Sequence, residues 1–159
     1  MNENNILKQI ENKIFTKENC SEQIKIWKQQ NESIVFTNGC FDWLHRGHIE
    51  CLTMASQYAD KFVLGLNSDA SVKRLKGETR PINAEKQRAL LLVSFIFIDA
   101  VVIFEEDTPL ELIKIVEPDV LIKGGDYDIK NIVGADFVMQ SGGKAVSYTH
   151  LRAHETSEN

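Results

Sequence analysis

His45 and His48 stand three residues apart, separated by Arg46 and Gly47. An imidazole can donate a hydrogen bond or carry a proton near neutral pH, so such a pair suits stabilising negative charge that grows on a phosphate. The residues before it form an apolar, β-branched run, Ile34-Val35-Phe36-Thr37, which breaks at Asn38-Gly39. The pattern restarts as a helix near Leu44 to Gly47 and continues through Ile49, Leu52 and Met54. A strand, a glycine turn and a helix N-terminus place backbone N–H groups and the positive end of the helix dipole against an anion. Spacing of i, i+3 puts both histidines on one helix face, turned to that anion site. Gly47 permits close backbone approach. Alone, the two residues would read equally well as surface histidines. With Thr37, Asn38, Gly39, Cys40, Phe41 and Asp42 beside them, they read as a phosphate-handling element.

Other residues carry chemistry of the same kind. Lys73, Arg74, Lys76 and Arg80 form a local basic cluster after the second strand–helix unit, and Arg80-Pro81 sets an extended approach to the next helix. Arg80 is a candidate for a substrate phosphate; Arg88 is another, with a surface salt bridge as its alternative. Asp42 is a candidate for orienting substrate hydroxyls or Mg²⁺, since carboxylates suit a hard cation. Asn67 and Asp69 lie just past the second strand, where Asp69 either caps the next helix or belongs to the site rim. Lys123-Gly124-Gly125-Asp126 follows the fourth strand; its two glycines let the backbone lie flat against a base, with a simple β-turn as the alternative. Glu105-Glu106-Asp107 is explained by complementing a helix dipole. Cys40 reads as a small buried residue rather than a nucleophile.

The elements that must position these residues alternate. Strands are expected at Ile34–Thr37, Phe62–Leu66, Ala100–Phe104, Val120–Lys123 and Lys144–Ser147, with helices at about 47–58, 69–75, 83–94, 108–116 and 129–139. Runs such as Ala-Val-Val-Ile-Phe are continuous rather than alternating, as in strands buried on both faces of a parallel sheet. The expectation is an α/β fold: a Rossmann-like, open, doubly wound parallel sheet of about five strands, with ligands at the C-terminal strand ends. Thr108-Pro109-Leu110-Glu111 reads as a capping box with proline at the first helical position. Before the sheet, residues 1–32 read as an N-terminal helical arm, with Ile6, Ile10 and Ile14 at helical spacing and Ser21 capping a second helix.

The chain of 159 residues, 43% hydrophobic, suits one domain with a substantial core. A formal charge of −5 argues against general binding to nucleic acid or anionic membrane, so an anionic substrate must be held by locally placed cations. Three cysteines without CxxC spacing disfavour a disulfide framework or zinc site. Met1-Asn2-Glu3-Asn4-Asn5 is polar, no apolar signal region follows, and no run approaches the ~18 residues of a membrane span; a cytoplasmic location is expected.

Phe41-Asp42 followed by His45-Arg46-Gly47-His48 resembles the HxGH signature of the nucleotidyltransferase superfamily. Gly65 to Asp69, Leu75-Lys76-Gly77, Thr79 to Ile82, Asp107 to Glu111 and Lys123 to Tyr127 follow in order. Over residues 5–146 the set resembles the D-glycero-β-D-manno-heptose 1-phosphate adenylyltransferases, free-standing or as half of a bifunctional heptose enzyme. The resemblance implies transfer of AMP from ATP to the sugar 1-phosphate, with Mg²⁺ arriving on the nucleotide and no dedicated metal cage. It implies His45, His48 and Lys76 as catalytic and Lys123, Gly124, Gly125 and Asp126 as nucleotide-binding. It also brings an expectation, by analogy, of a homo-oligomer. A nucleotidyltransferase domain is thus expected at 33–147. In the family a Ser-Thr-Thr turn would follow, where this chain reads Tyr148 to Asn159, expected as a disordered or non-native tail. Two rivals stay open: a cytidylyltransferase acting on glycerol 3-phosphate or a similar small phosphate, and a nucleotide-binding module without turnover.

Overall fold

The β-branched runs pair side by side and the segments between them coil into helices that cover both faces. In this computed structural model, which describes residues 4–148, the order is α1 (Asn4–Glu11), β1 (Ile14–Phe15), α2 (Lys17–Gln29), β2 (Ile34–Gly39), α3 (Arg46–Ser56), β3 (Lys61–Asn67) and α4 (Asp69–Lys76). It continues with α5 (Glu85–Val93), β4 (Ala100–Phe104), α6 (Leu110–Val116), β5 (Val120–Gly124), a 3-10 turn at Ile129–Asn131, α7 (Ala135–Gln140) and β6 (Lys144–Tyr148). The sheet order is β1-β4-β3-β2-β5-β6, every pair parallel.

Neighbouring residues of β2 serve opposite layers because strand side chains alternate. Ile34 and Phe36 join Ile24 and Trp27 of α2, Leu112 and Ile113 of α6 and Val138 of α7. Val35 joins Leu52 and Ala55 of α3 with Ala89, Leu92 and Val93 of α5. Two-sided burial accounts for the continuous apolar runs. Among the described residues, no helix is long and apolar enough to cross a membrane.

Three local expectations are corrected. Ile14 is not the third residue of a helical stripe. It opens β1, pairing with Val101 at the sheet edge and making six strands rather than five. The cap of α2 is Thr16, whose hydroxyl accepts from Asn19 N–H, while Ser21 lies inside the helix. Thr108 makes no capping box: α6 starts at Leu110 with Pro109 in the cap position and no side-chain cap bond. The lower end of the chain differs too, since Tyr148, assigned to the tail, is the last residue of β6. Residues 149–159 lie outside those described.

The sheet order decides where a ligand fits. β2 leads to β3 on one side, and β5 lies on its other side, so the crevice beyond the C-terminal ends of β2 and β5 is the topological switch point. The β2–β5 register holds Val35 to Val120 and Phe36 to Leu121, whereas β2 and β3 stay paired as far as Gly39 and Leu66. Past the last β2–β5 pair, Thr37 Oγ1 donates to Ile122 O at 2.8 Å, bracing the mouth of the crevice.

Candidate active site

At that switch point lies a cavity of about 890 Å³, within the size range of small-molecule sites. The end of β2 and the following turn line it with Thr37 through Trp43, and the start of α3 with His45, Gly47 and His48. Lys76 and Arg80 enter from the β3 side; Ile122, Lys123, Gly124 and Tyr148 close the β5–β6 side. Lysine and arginine side chains thus gather at one cavity of a net acidic chain.

The histidines are fixed by the helix they begin. His45 is the N-cap of α3, and its Nδ1 accepts from Gly47 N–H at 3.0 Å. His48 Nδ1 accepts from His45 N–H at 3.3 Å, so each ring satisfies a donor that the helix leaves orphaned. With Nδ1 occupied as acceptor, a neutral ring carries its proton on Nε2. The ring centroids are 4.1 Å apart, and Phe41 meets His48 edge-on at 5.9 Å. Phe41 adopts a left-handed φ of +44°, a strained conformation for a non-glycine residue and of a kind concentrated at functional sites. Its ring lies over Gly39, where a Cβ would come within 2.8 Å of it.

Burial, then the charges of His45 and Lys76, hold the His48 imidazole below its ordinary value of 6.5. It is the neutral donor at neutral pH. A depressed histidine means that the unfolded chain binds more protons than the folded one just below pH 6.5. Its contribution to stability is therefore complete above the unfolded value and is lost as pH falls through the lowered one. An NMR titration of the His48 ring should give a midpoint below 6.5 in the free protein. A midpoint at or above 6.5 would contradict this environment.

A polar network reaching from the cavity wall into the core engages several of the expected site residues. Asp42 is buried, and its carboxylate accepts from Ile82 N–H and Asn83 N–H, both at 2.9 Å, and from Arg80 Nη1 at 3.3 Å. Burial pushes the Asp42 carboxyl up, but these hydrogen bonds and the Arg80 charge outweigh it and hold the group below the usual range. With its oxygens so engaged, Asp42 clamps loop 77–84 to the β2 turn at the cavity wall. Arg88 is no surface residue and lines no part of the cavity. Only 1% exposed, it donates to Asn83 O, Cys40 O and Asn67 O at 2.7–2.9 Å and to the Asp69 carboxylate at 2.8 Å. Asp69 is its counter-ion, and the cap of α4 is Ser68. Asn67 is likewise buried and donates to Ser71 Oγ. These three hold the loops together and are not among the residues that line the cavity.

Lys76 is the final residue of α4, not part of a free loop, and it reaches the cavity from the helix end. Arg74 of the same cluster turns away to Asp107 and Glu105 O. Of the second glycine loop, Lys123 and Gly124 line the cavity. Gly125 takes φ +114° against the Tyr127 ring and donates to Tyr148 O, and Asp126 is exposed outside the cavity lining. Burial lowers the Lys123 ammonium below its usual value, with Cys40 pulling weakly the other way. Trp43, Cys51, Ile122 and Tyr148 also line the cavity without having been singled out in the sequence. Trp43 stands between Asp42 and the histidines, a signal that was present. Nothing local marked Tyr148, because its place depends on which strand lies beside β5.

Among the described residues, no cluster of His, Cys, Asp or Glu is arranged to hold a metal ion.

The pattern of the cytidylyltransferase-like family matches residues 36–143. The bifunctional protein HldE of Campylobacter jejuni is 59% identical over 128 residues, 80% of this chain and 27% of that protein. The bifunctional protein HldE of Mesorhizobium japonicum is 50% identical over 133 residues, 84% of this chain and 27% of its own length. The chain thus spans about a quarter of the length of the curated relatives it matches. In fold it is similar to the lipopolysaccharide core biosynthesis protein from Thermoplasma volcanium, with TM-score 0.61, 24% identity, and coverage of 74% of this chain and 95% of that one. A pantoate-beta-alanine ligase from Francisella tularensis shares the fold at TM-score 0.60 and 14% identity, covering 86% of this chain and 66% of the ligase. The matched span takes in the histidine pair and the glycine turn and covers more than half of the chain, which belongs to the cytidylyltransferase-like family.

Proposed function

We propose that this chain is a nucleotidyltransferase that transfers AMP from ATP to D-glycero-β-D-manno-heptose 1-phosphate, releasing pyrophosphate and giving ADP-heptose for a bacterial surface glycan such as the lipopolysaccharide core. The observation that carries the reaction class is the histidine pair at the start of α3, each Nδ1 held by a backbone N–H, beside Lys76 in the switch-point cavity. A sugar phosphate oxygen attacks the α-phosphorus and the bond to pyrophosphate breaks. Such a step needs positioning and charge stabilisation more than covalent help. His45 and His48 donate from Nε2 to the α-phosphate and leaving group, and Lys76 neutralises the triphosphate. The backbone at Lys123 and Gly124 takes the base side, and Arg80 faces the acceptor phosphate. Mg²⁺ bound to the triphosphate supplies further neutralisation. The heptose rests on the ordered motifs over residues 5–146 and on the HldE relatives. A cytoplasmic enzyme working on soluble nucleotide and sugar phosphate, as a homo-oligomer, fits the same reading.

The test is pyrophosphate release from ATP or CTP with the heptose 1-phosphate or glycerol 3-phosphate. Release from ATP and the heptose 1-phosphate is the expected result. Preference for CTP and glycerol 3-phosphate would replace this reading with the cytidylyltransferase one. Saturable ATP binding with no release from any pair would leave a binding module.

A further inference from the structure

We propose that Trp43 is a specificity-determining contact for the acceptor, its indole face covering the apolar face of a pyranose ring at the cavity mouth; this rests on the sugar-phosphate reading above. The two tryptophans of the chain are placed in opposite ways: Trp27 is 8% exposed in the core, while Trp43 is 70% exposed. A single exposed apolar side chain is ordinary. This one, however, lines the ligand cavity, and the backbone on both sides of it is fixed. On one side the Asp42 carboxylate is tied to Ile82 N–H, Asn83 N–H and Arg80. On the other, His45 caps α3 through Gly47 N–H. Little backbone ordering is then needed when the indole meets a ligand.

The rest of the cavity limits what the indole meets. Lys123, Gly124 and Tyr148 form the β5–β6 side, where the base is placed, and the histidines with Lys76 take the phosphates. Arg80 joins the carboxylate of Asp42, the residue next to Trp43, and both Arg80 and Trp43 line the cavity, so the proposal sets the acceptor at this end. A pyranose suits this end because its ring C–H groups carry partial positive charge, which the negative face of an indole attracts. Its hydroxyls stay with water, and its phosphate stays near Arg80. A short acyclic acceptor such as glycerol 3-phosphate has no ring face to offer.

Steady-state kinetics on the full chain, with ATP and the heptose 1-phosphate varied in turn, test the assignment alongside tryptophan emission. Trp43→Ala should raise the acceptor KM on the order of tenfold and leave the ATP KM within about twofold, and Trp43→Phe should recover most of the loss. Emission of the parent chain should change saturably with the heptose 1-phosphate, and the change should vanish in Trp43→Phe. An unchanged acceptor KM, or an ATP KM that rises in step, overturns the proposal. If no sugar phosphate is turned over, the reaction reading fails separately and the emission titration decides alone. A saturable change absent from Trp43→Phe then sustains the contact, and a flat titration overturns it.

Discussion

Replacing His48 with alanine should lower turnover by ~10²–10³ while leaving the ATP KM within a few-fold, the loss typical of removing one preorganised donor to a developing oxyanion. The ring has two jobs in the structure. Its Nδ1 accepts from His45 N–H, completing the cap of α3, and in the proposed reaction its Nε2 donates to the phosphate. Alanine removes both, so it should also cost ~1 kcal/mol of stability, as lost caps do. His48→Gln separates the two effects. Glutamine at this third helical position still reaches back to the cap N–H, as in ordinary capping boxes. Stability should return to near that of the parent while turnover stays low. If either variant kept turnover within tenfold of the parent, the ring would be a cap and not a catalytic donor.

Arg88→Ala should destabilise the chain by about 3–5 kcal/mol, the range found when one partner of a buried ionic network is deleted. The guanidinium is fully buried and serves four acceptors on three loops: the carbonyls of Cys40, Asn67 and Asn83 and the carboxylate of Asp69. Truncation strands buried carbonyls and leaves Asp69 without its counter-ion, each unsatisfied group adding its desolvation cost. Arg88→Lys keeps the charge without the planar fork and should fall between the two. Urea denaturation gives the answer through a lowered midpoint at unchanged slope. A variant within ~1 kcal/mol of the parent, with a raised substrate KM, would restore Arg88 to the list of direct substrate contacts. The network also explains why loss of Arg88 should reach the site. Cys40 O anchors the turn that carries Phe41 and Asp42, and Asn83 is bonded to Asp42 in turn.

Much of this protein was written locally. Continuous β-branched runs gave five of the strands to within a few residues, because burial on both faces removes the need for alternation. The histidine pair was legible because its geometry depends only on a strand end, a turn and a helix start, all within residues 34–48. What escaped were choices made between distant segments. Ile14 follows a helix and matches its stripe, yet the open edge of β4 offered it backbone partners at Val101, and pairing won over periodicity. Asp42 and Arg88 have the side chains of ligand-binding residues. Only the packing of loop 77–84 and α5 against the β2 turn tied Asp42 to backbone N–H groups at the cavity wall and drew Arg88 inward. The sequence by itself determined the residue types and short-range spacings that make a phosphate site at a helix N-terminus. The tertiary structure alone decided the strand order that sets β5 beside β2 and makes their C-terminal ends the switch point, and with it which charged groups face the cavity and which are consumed in holding it open. Local spacing cannot encode that division, because it depends on which carbonyls and carboxylates from remote loops arrive within hydrogen-bond reach.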